Sequence, residues 1–219
     1  MKVQNHDLTV RRNETFTIDR IIRNRDGSPY IISSKLLNPY FVITVSSSIY
    51  DVSDRYVYHA WLPVNVPRFH STVPVRINDF KKKSGEELYP DGFGTMTGPP
   101  VGYVNGVDIR YGGDTDEPCY DALFYYEDNN GNKIYKWWNG AEKWQDYECR
   151  IIHKFLQQYT RDWIEGSYYY NIELLDGTLD DNAKAGERPL KDVCEVIPIL
   201  EDSKISVLSN LKGGMKWLK

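Results

Sequence analysis

The sequence predicts a mainly β protein, a β-sandwich interrupted by a mixed α/β insertion that carries one long helix. Three observations predict this architecture. Apolar residues alternate at period two in several runs, turn-forming residues separate these runs, and 17 Tyr and 6 Trp favour pleated strands. Strand patterns open and close the chain, whereas the helical pattern lies between them.

The N-terminal part has the pattern of an antiparallel β structure. Residues 8–10 and 16–22 predict two strands, which the turn sequence Arg25-Asp26-Gly27-Ser28-Pro29 follows. Asp-Gly between two β-like runs is typical of a hairpin. Residues 40–46 and 56–62 alternate apolar and polar side chains, so each predicts a strand with one buried face.

The middle of the chain differs from the N-terminal part in its amino-acid composition. Residues 79–113 are rich in Gly, Pro, Lys and Asp, a composition that predicts a long surface excursion. A hairpin is predicted next, with arms at residues 123–127 and 133–138 and the turn Asp128-Asn129-Asn130-Gly131 between them.

A helix is predicted from residue 142 to residue 164. Apolar side chains recur there at steps of three and four residues, which places them on one helical face. Gly140 before the segment and Gly166 after it mark its ends. The apolar residues are Trp144, Tyr147, Ile151, Phe155 and Tyr159.

The C-terminal part returns to period two. Residues 168–174 alternate, Asp176-Gly177 predicts a turn, and residues 193–199 and 204–208 predict two further strands.

These patterns predict the domain organisation. Neither flank has enough strands to close a sandwich alone, so the two flanks are expected to pair with each other. The sandwich then comprises residues 1–77 and 166–219, and residues 78–165 form an inserted lobe with the hairpin and the helix.

Composition excludes several classes of protein. No apolar run approaches the roughly 20 residues of a membrane span, and the mean hydropathy is -0.56. The net charge of -4 comes from interspersed charges without a basic stripe, so nucleic-acid binding is not expected. The polar start shows no signal peptide, which predicts synthesis in a cytoplasm. Cys119, Cys149 and Cys194 are odd in number and widely spaced, and buried thiols are expected.

The sequence carries no recognisable catalytic or metal-binding motif. The sequence has neither a nucleophile elbow nor a phosphate loop, and none of its four histidines stands at the spacing of paired helical metal ligands. We therefore predict a non-enzymatic protein without a cofactor. Acidic loops at residues 114–117 and at Asp176, Asp180 and Asp181 leave Ca²⁺ binding open, although solvated turns are the simpler interpretation.

Tryptophans supply the candidate binding residues. Trp137 and Trp138 are adjacent on a predicted strand and point to opposite faces. Either one packs inside while the other caps a loop, or they form an aromatic anchor for a partner subunit or a sugar ring. Trp217 belongs to a tail that either docks on a neighbour or folds back on its own domain.

The first strands carry a resemblance to a known family. Leu8-Thr9-Val10-Arg11-Arg12-Asn13-Glu14-Thr15-Phe16 is followed by Asp26-Gly27-Ser28-Pro29 and Tyr30-Ile31-Ile32. This progression resembles the start of the immunoglobulin-like domains at the N-terminus of phage baseplate upper proteins. Residues 168–177 and 193–208 are similar to the final hairpin of that domain, whereas the middle lobe has no counterpart in it.

The resemblance implies a virion structural protein of a bacteriophage tail, baseplate or neck, made in the host cytoplasm. It would act as an adaptor that assembles with other phage virion proteins and forms a homo-oligomeric ring, with no catalytic residues and no membrane insertion. The alternative is a carbohydrate-binding module for host-surface glycan, with Trp137, Trp138 or tyrosines of residues 168–170 as the stacking platform. A hydrolase whose acids are scattered along the chain is a third alternative.

Overall fold

The computed structural model describes residues 7–47, 56–79, 81–82, 102–104, 107–109, 119–120, 122–138, 144–185 and 187–208. The described chain is mainly β, as predicted. The strands in chain order are β1 (Leu8–Arg11), β2 (Phe16–Ile22), β3 (Ile32–Ser33), β4 (Tyr40–Ser46), β5 (Tyr56–Pro63), β6 (Arg68–Phe69), β7 (Val75–Arg76), β8 (Lys81–Lys82), β9 (Gly102–Val104), β10 (Val107–Ile109), β11 (Cys119–Tyr120), β12 (Phe124–Glu127), β13 (Lys133–Trp138), β14 (Trp144–Asp146), β15 (Cys149–Phe155), β16 (Gly166–Leu179) and β17 (Leu190–Leu208).

The chain divides into two compact units. Unit 1 contains residues 1–20, 38–64 and 151–219, and unit 2 contains residues 21–37 and 65–150. These boundaries differ from the predicted sandwich and inserted lobe, whose division of the chain stays a prediction.

Unit 1 is built on a five-stranded sheet in the order β1-β17-β16-β4-β5. The strands β17, β16, β4 and β5 are antiparallel neighbours, and β1 joins β17 in parallel. Strand β4 occupies an interior position because it is apolar on both faces: Phe41, Ile43 and Val45 are buried on one face, and Val42 is buried on the other. On this second face Val42 packs with Leu175 and Leu190.

The predicted turn at Asp176-Gly177 is wrong, because β16 continues through both residues to Leu179. The ladder to β17 shifts register between them, so the pair forms an irregularity inside the strand. A Cβ at position 177 would overlap the backbone carbonyl of Asp192, which explains the glycine there. The Asp176 carboxylate accepts the backbone N–H of Asn38 at 2.6 Å. This Asp-Gly pair therefore allows β16 to approach β17 closely.

The two strands predicted at residues 193–199 and 204–208 are one strand, β17. Its pairing with β16 contains several register shifts, and these irregularities interrupt the alternation that a regular strand would show in the sequence. Cys194 lies on this strand and is exposed, contrary to the expectation of a buried thiol, whereas Cys149 is buried.

Unit 2 contains short strands in small sheets, of which the largest has the order β14-β13-β12-β7. The predicted hairpin is confirmed, since β12 and β13 pair antiparallel. Oδ1 of Asp128 accepts the backbone N–H groups of Asn130 and Asn132, and Gly131 has a φ of 79°. The turn thus depends on local hydrogen bonds and on one residue suited to positive φ.

The long helix predicted at residues 142–164 is wrong. The segment forms β14, β15 and one short helix, α1 (Gln157–Thr160). In β15 the residues Cys149, Ile151 and Phe155 are buried, and the residues between them are mostly exposed. A four-residue spacing is also a multiple of two, so Ile151 and Phe155 fit a strand as well as a helix. None of the described helices has the length and apolar character to span a bilayer.

Candidate functional site

The predicted tryptophans lie in unit 2, and their burial differs. Trp138 is 3% exposed and meets Trp144 edge to face, with ring centroids 5.5 Å apart. Trp144 in turn meets Phe124 edge to face. Trp137, on the opposite face of β13, is half-buried. We call Phe124, Trp138 and Trp144 the closed cluster. Phe124 and Trp138 are buried, and the ring of each one contacts the ring of Trp144. Trp217 lies outside the described residues.

The other candidates from the sequence are the tyrosines of residues 168–170 and the two acidic loops. Tyr168 and Tyr170, considered as a stacking platform, are buried in unit 1. Asp176 bonds to Asn38, and Oδ1 of Asp180 accepts the backbone N–H of Asn182 at 3.0 Å. No cluster of metal-ligand side chains is found in the described part of the chain. Residues 114–117 lie outside it.

A groove of about 600 Å³ in unit 1 brings together residues that, apart from Tyr159, Asp180 and Asp181, the sequence did not single out. It follows β5 and is bordered by the connection between β16 and β17. We call it the β5 groove. Its lining residues are Tyr40, Tyr58, His59, Ala60, Trp61, Leu62, His153, Tyr159, Leu179, Asp180, Asp181, Ala183, Lys184, Ala185, Glu187 and Pro189.

Strand β5 lies at the end of its sheet. It pairs with β4 on one side, and among the described strands no other one pairs with it. Because side chains alternate along a strand, Tyr58 and Trp61 belong to opposite faces of the sheet. The β5 groove therefore follows an open strand edge and has aromatic residues on both sides of it.

One side of the groove is formed by Tyr58, His153 and Tyr159. The Tyr58 hydroxyl is 2.7 Å from Nε2 of His153, and the ring of Tyr159 is 5.1 Å from that of Tyr58. Burial raises the pKa of Tyr58 to about 12, with a smaller contribution from Tyr159. Burial also lowers the pKa of His153. At neutral pH both side chains are therefore uncharged, and one hydrogen bond joins the Tyr58 hydroxyl to Nε2 of His153.

The other side is formed around Trp61. Its ring packs against the buried Val42 cluster and meets Tyr40 edge to face at 6.2 Å. His59 lies 5.3 Å from the same ring, and the guanidinium of Arg188 lies over it at 5.9 Å. The pKa of His59 is lowered, first by desolvation and second by the positive charge of Arg188. Trp61 is thus held in place from several directions.

The rim of the groove is a turn-rich connection with its own hydrogen bonds. The N–H of Asp180 donates to the carbonyl of Pro189 at 2.8 Å, which closes its base. Oε2 of Glu187 accepts the N–H of Lys184 at 3.0 Å. Asp181 is exposed and adds a further negative charge. The lining includes three carboxylates and one ammonium group, and the guanidinium of Arg188 lies over Trp61, so negative charges outnumber positive ones by one.

The β5 groove has features that are suited to binding. It offers aromatic rings, an open strand edge and carboxylates, and its Tyr–His pair is neutral at physiological pH. In unit 2, burial raises the pKa of the Cys149 thiol to about 12, so this group is protonated at neutral pH.

A second depression, of about 850 Å³, lies elsewhere on unit 1. Polar surface side chains line it, including Arg12, Gln157 and Arg161, and Nε of Arg12 donates to the carbonyl of Arg161 at 3.2 Å. It has neither aromatic rings nor a strand edge, so the β5 groove is the stronger candidate site.

The sequence contained one signal for this site. The run of β5, Tyr-Val-Tyr-His-Ala-Trp-Leu-Pro, has no charged residue. The partner segments come from residues 153–159 and 179–189, which are distant in sequence and reach β5 through the fold. Comparison of the chain with protein-family models, curated proteins and solved structures gave no match.

Proposed function

We propose that this chain is a structural adaptor protein of a bacteriophage tail, baseplate or neck. In this proposal it folds as an immunoglobulin-like β-sandwich, acts through binding and not through catalysis, and assembles in the virion with other virion proteins and with further copies of itself. The observation that supports a binding role is the outer edge of β5, with which no other described strand pairs. The resemblance of residues 8–32 to phage baseplate upper proteins supports the virion setting.

An open strand edge is a template for pairing with another chain, and natural proteins usually protect such edges with charges, prolines or short strands. Strand β5 is eight residues long, and its one proline is its last residue, Pro63. The opposite edge strand, β1, has four residues and carries Arg11. Of the two edges, β5 is therefore the one suited to a partner.

The solution mass of the purified chain tests this proposal. Light scattering coupled to size-exclusion chromatography, over a wide range of concentrations, should show a defined oligomer or association that increases with concentration. Electron microscopy of the associated fraction should show closed rings. A monomer at every concentration would remove self-assembly from the proposal.

The aromatic lining of the groove favours a second candidate, recognition of host-surface glycan. Sugar rings pack on aromatic faces, and carboxylates such as Asp181 accept bonds from hydroxyl groups. The side chain of Tyr159 is 42% exposed, so its ring is accessible. Oligosaccharides should then quench the tryptophan fluorescence saturably, and Tyr159→Ala should abolish the effect. Quenching that survives this substitution would place any glycan site elsewhere.

A further inference from the structure

The β5 groove combines three properties that together define the chemistry of its occupant. Alternate residues of an edge strand direct their backbone N–H and C=O groups away from the sheet, where an added strand can pair with them. Aromatic rings lie on both sides of that edge. The lining carboxylates of Asp180, Asp181 and Glu187 outnumber the two cations beside them, Lys184 and Arg188. A matching occupant is an extended segment with apolar side chains and positive charge.

The chain itself contains such a segment immediately after β17. Residues 209–219, Ser-Asn-Leu-Lys-Gly-Gly-Met-Lys-Trp-Leu-Lys, lie outside the described residues. The segment has no acidic residue and carries Lys212, Lys216 and Lys219. At period two, Leu211, Met215, Trp217 and Lys219 share one face, and Lys212, Lys216 and Leu218 share the other. The first face is mainly apolar and the second mainly basic, which suits a strand that adds between aromatic rings and a rim with carboxylates.

The order of the sheet favours a groove on another copy over the groove of the same chain. Strand β17 ends at Leu208, and β16 and β4 lie between β17 and β5. A strand added to the free edge of β5 lies four strand spacings from β17, which amount to about 19 Å. Crossing that distance takes about six residues, which would place Leu211 on the crossing and leave only the last part of residues 209–219 to pair with β5. A groove on a neighbouring copy leaves the whole segment for pairing.

We propose that the β5 groove binds residues 209–219 of a second copy of this chain as an added β-strand. This inference rests on the self-assembly in the proposed function and names the surface that would produce it. The contact is heterologous, because a tail on one copy meets a groove on the next, and such contacts close into rings when the rotation permits.

The test compares full-length variants by light scattering, with the dissociation constant of self-association as the readout. The tail variant L211S/W217S and the groove variant Asp181→Lys should each associate at least about tenfold more weakly than the unmodified chain. Two matched controls lie outside the groove, on β17. Val196→Ser removes an exposed apolar side chain, and Glu195→Lys reverses an exposed charge. Both controls should stay within about twofold of the unmodified chain.

A peptide corresponding to residues 209–219 tests the mode of binding. Fluorescently labelled, it should bind the L211S/W217S chain saturably with one peptide per chain, and it should dissociate the unmodified oligomer. The same peptide with N-methyl groups at alternate residues keeps its side chains and loses backbone donors. It should bind at least about tenfold more weakly if a strand is added.

The outcomes separate this inference from the proposed function. Oligomers that persist unchanged in both the tail and groove variants overturn the inference and leave self-assembly standing. If the full-length chain is monomeric at every concentration, self-assembly is ruled out and the inference is overturned. Binding of the peptide in that case would assign the groove to residues 209–219 of the same chain. Equal binding of the N-methylated peptide overturns strand addition. Binding of oligosaccharides without binding of the peptide overturns the inference in favour of a glycan site.

Discussion

Two groups of aromatic side chains in this protein differ in what surrounds them. In unit 2 the closed cluster contains Phe124 and Trp138, which are 0% and 3% exposed, and both contact Trp144. In unit 1 the β5 groove has rings that border open space, with Tyr159 42% exposed. A high number of aromatic residues thus indicates β structure, whereas the exposure of their rings beside an open strand edge indicates a binding surface.

Removal of one ring from the closed cluster should have the largest effect. Trp138→Ala should lower the free energy of unfolding by about 3–5 kcal/mol, because it deletes a buried aromatic side chain and leaves a cavity. Denaturant unfolding measures this change. Trp137→Ala is the matched control on the same strand and should cost about 1–2 kcal/mol, since its ring is half-buried. Equal losses for the two variants would show that Trp138 is not an interior residue.

The comparison also shows which parts of the molecule could be predicted from the sequence. Strand β4 and the hairpin at Asp128 were predictable, because alternation and turn chemistry are local signals. The prediction of a long helix was wrong because Tyr147, Ile151 and Phe155 are spaced by four residues. This spacing fits the two-residue period of a strand as well as the period of a helix. The strand β15 depends on pairing with the distant β2, which no local pattern contains.

The candidate site was less predictable than the fold. The sequence predicts Trp137 and Trp138 as candidate binding residues because of their residue type, but Trp138 is buried in the closed cluster. The β5 groove requires His153 and the rim at Asp180 to approach β5, and the pairing of β16 with β4 and of β4 with β5 contributes to that approach. Long-range pairing of this kind leaves no short motif. The uncharged sequence of β5 was the one local signal.

Loss of the hydrogen bond between Tyr58 and His153 in the groove should have a smaller effect on stability. Tyr58→Phe should lower the free energy of unfolding by about 1 kcal/mol, because it keeps the ring and leaves Nε2 of His153 without its 2.7 Å partner. The control is Tyr125→Phe, whose ring packs against Tyr135 in the hairpin of unit 2 and which should change stability by less than about 0.5 kcal/mol. Similar losses in both variants would mean that the Tyr58–His153 bond contributes nothing to stability.

The smallest expected effect is a pH dependence that distinguishes the groove from the closed cluster, which contains no titratable group. Burial lowers the pKa of His153 in the folded chain below its ordinary value of 6.5, so the unfolded chain binds more protons between the two pKa values. Stability is therefore fully present above pH 6.5 and decreases as the pH falls toward the folded pKa of His153. Because the pKa of His59 is lowered in the same direction, the slope of unfolding free energy against pH should be reduced, and not abolished, in His153→Gln. An unchanged slope in that variant would show that protonation of His153 is not coupled to folding. It would also contradict the desolvation of His153 on its side of the β5 groove.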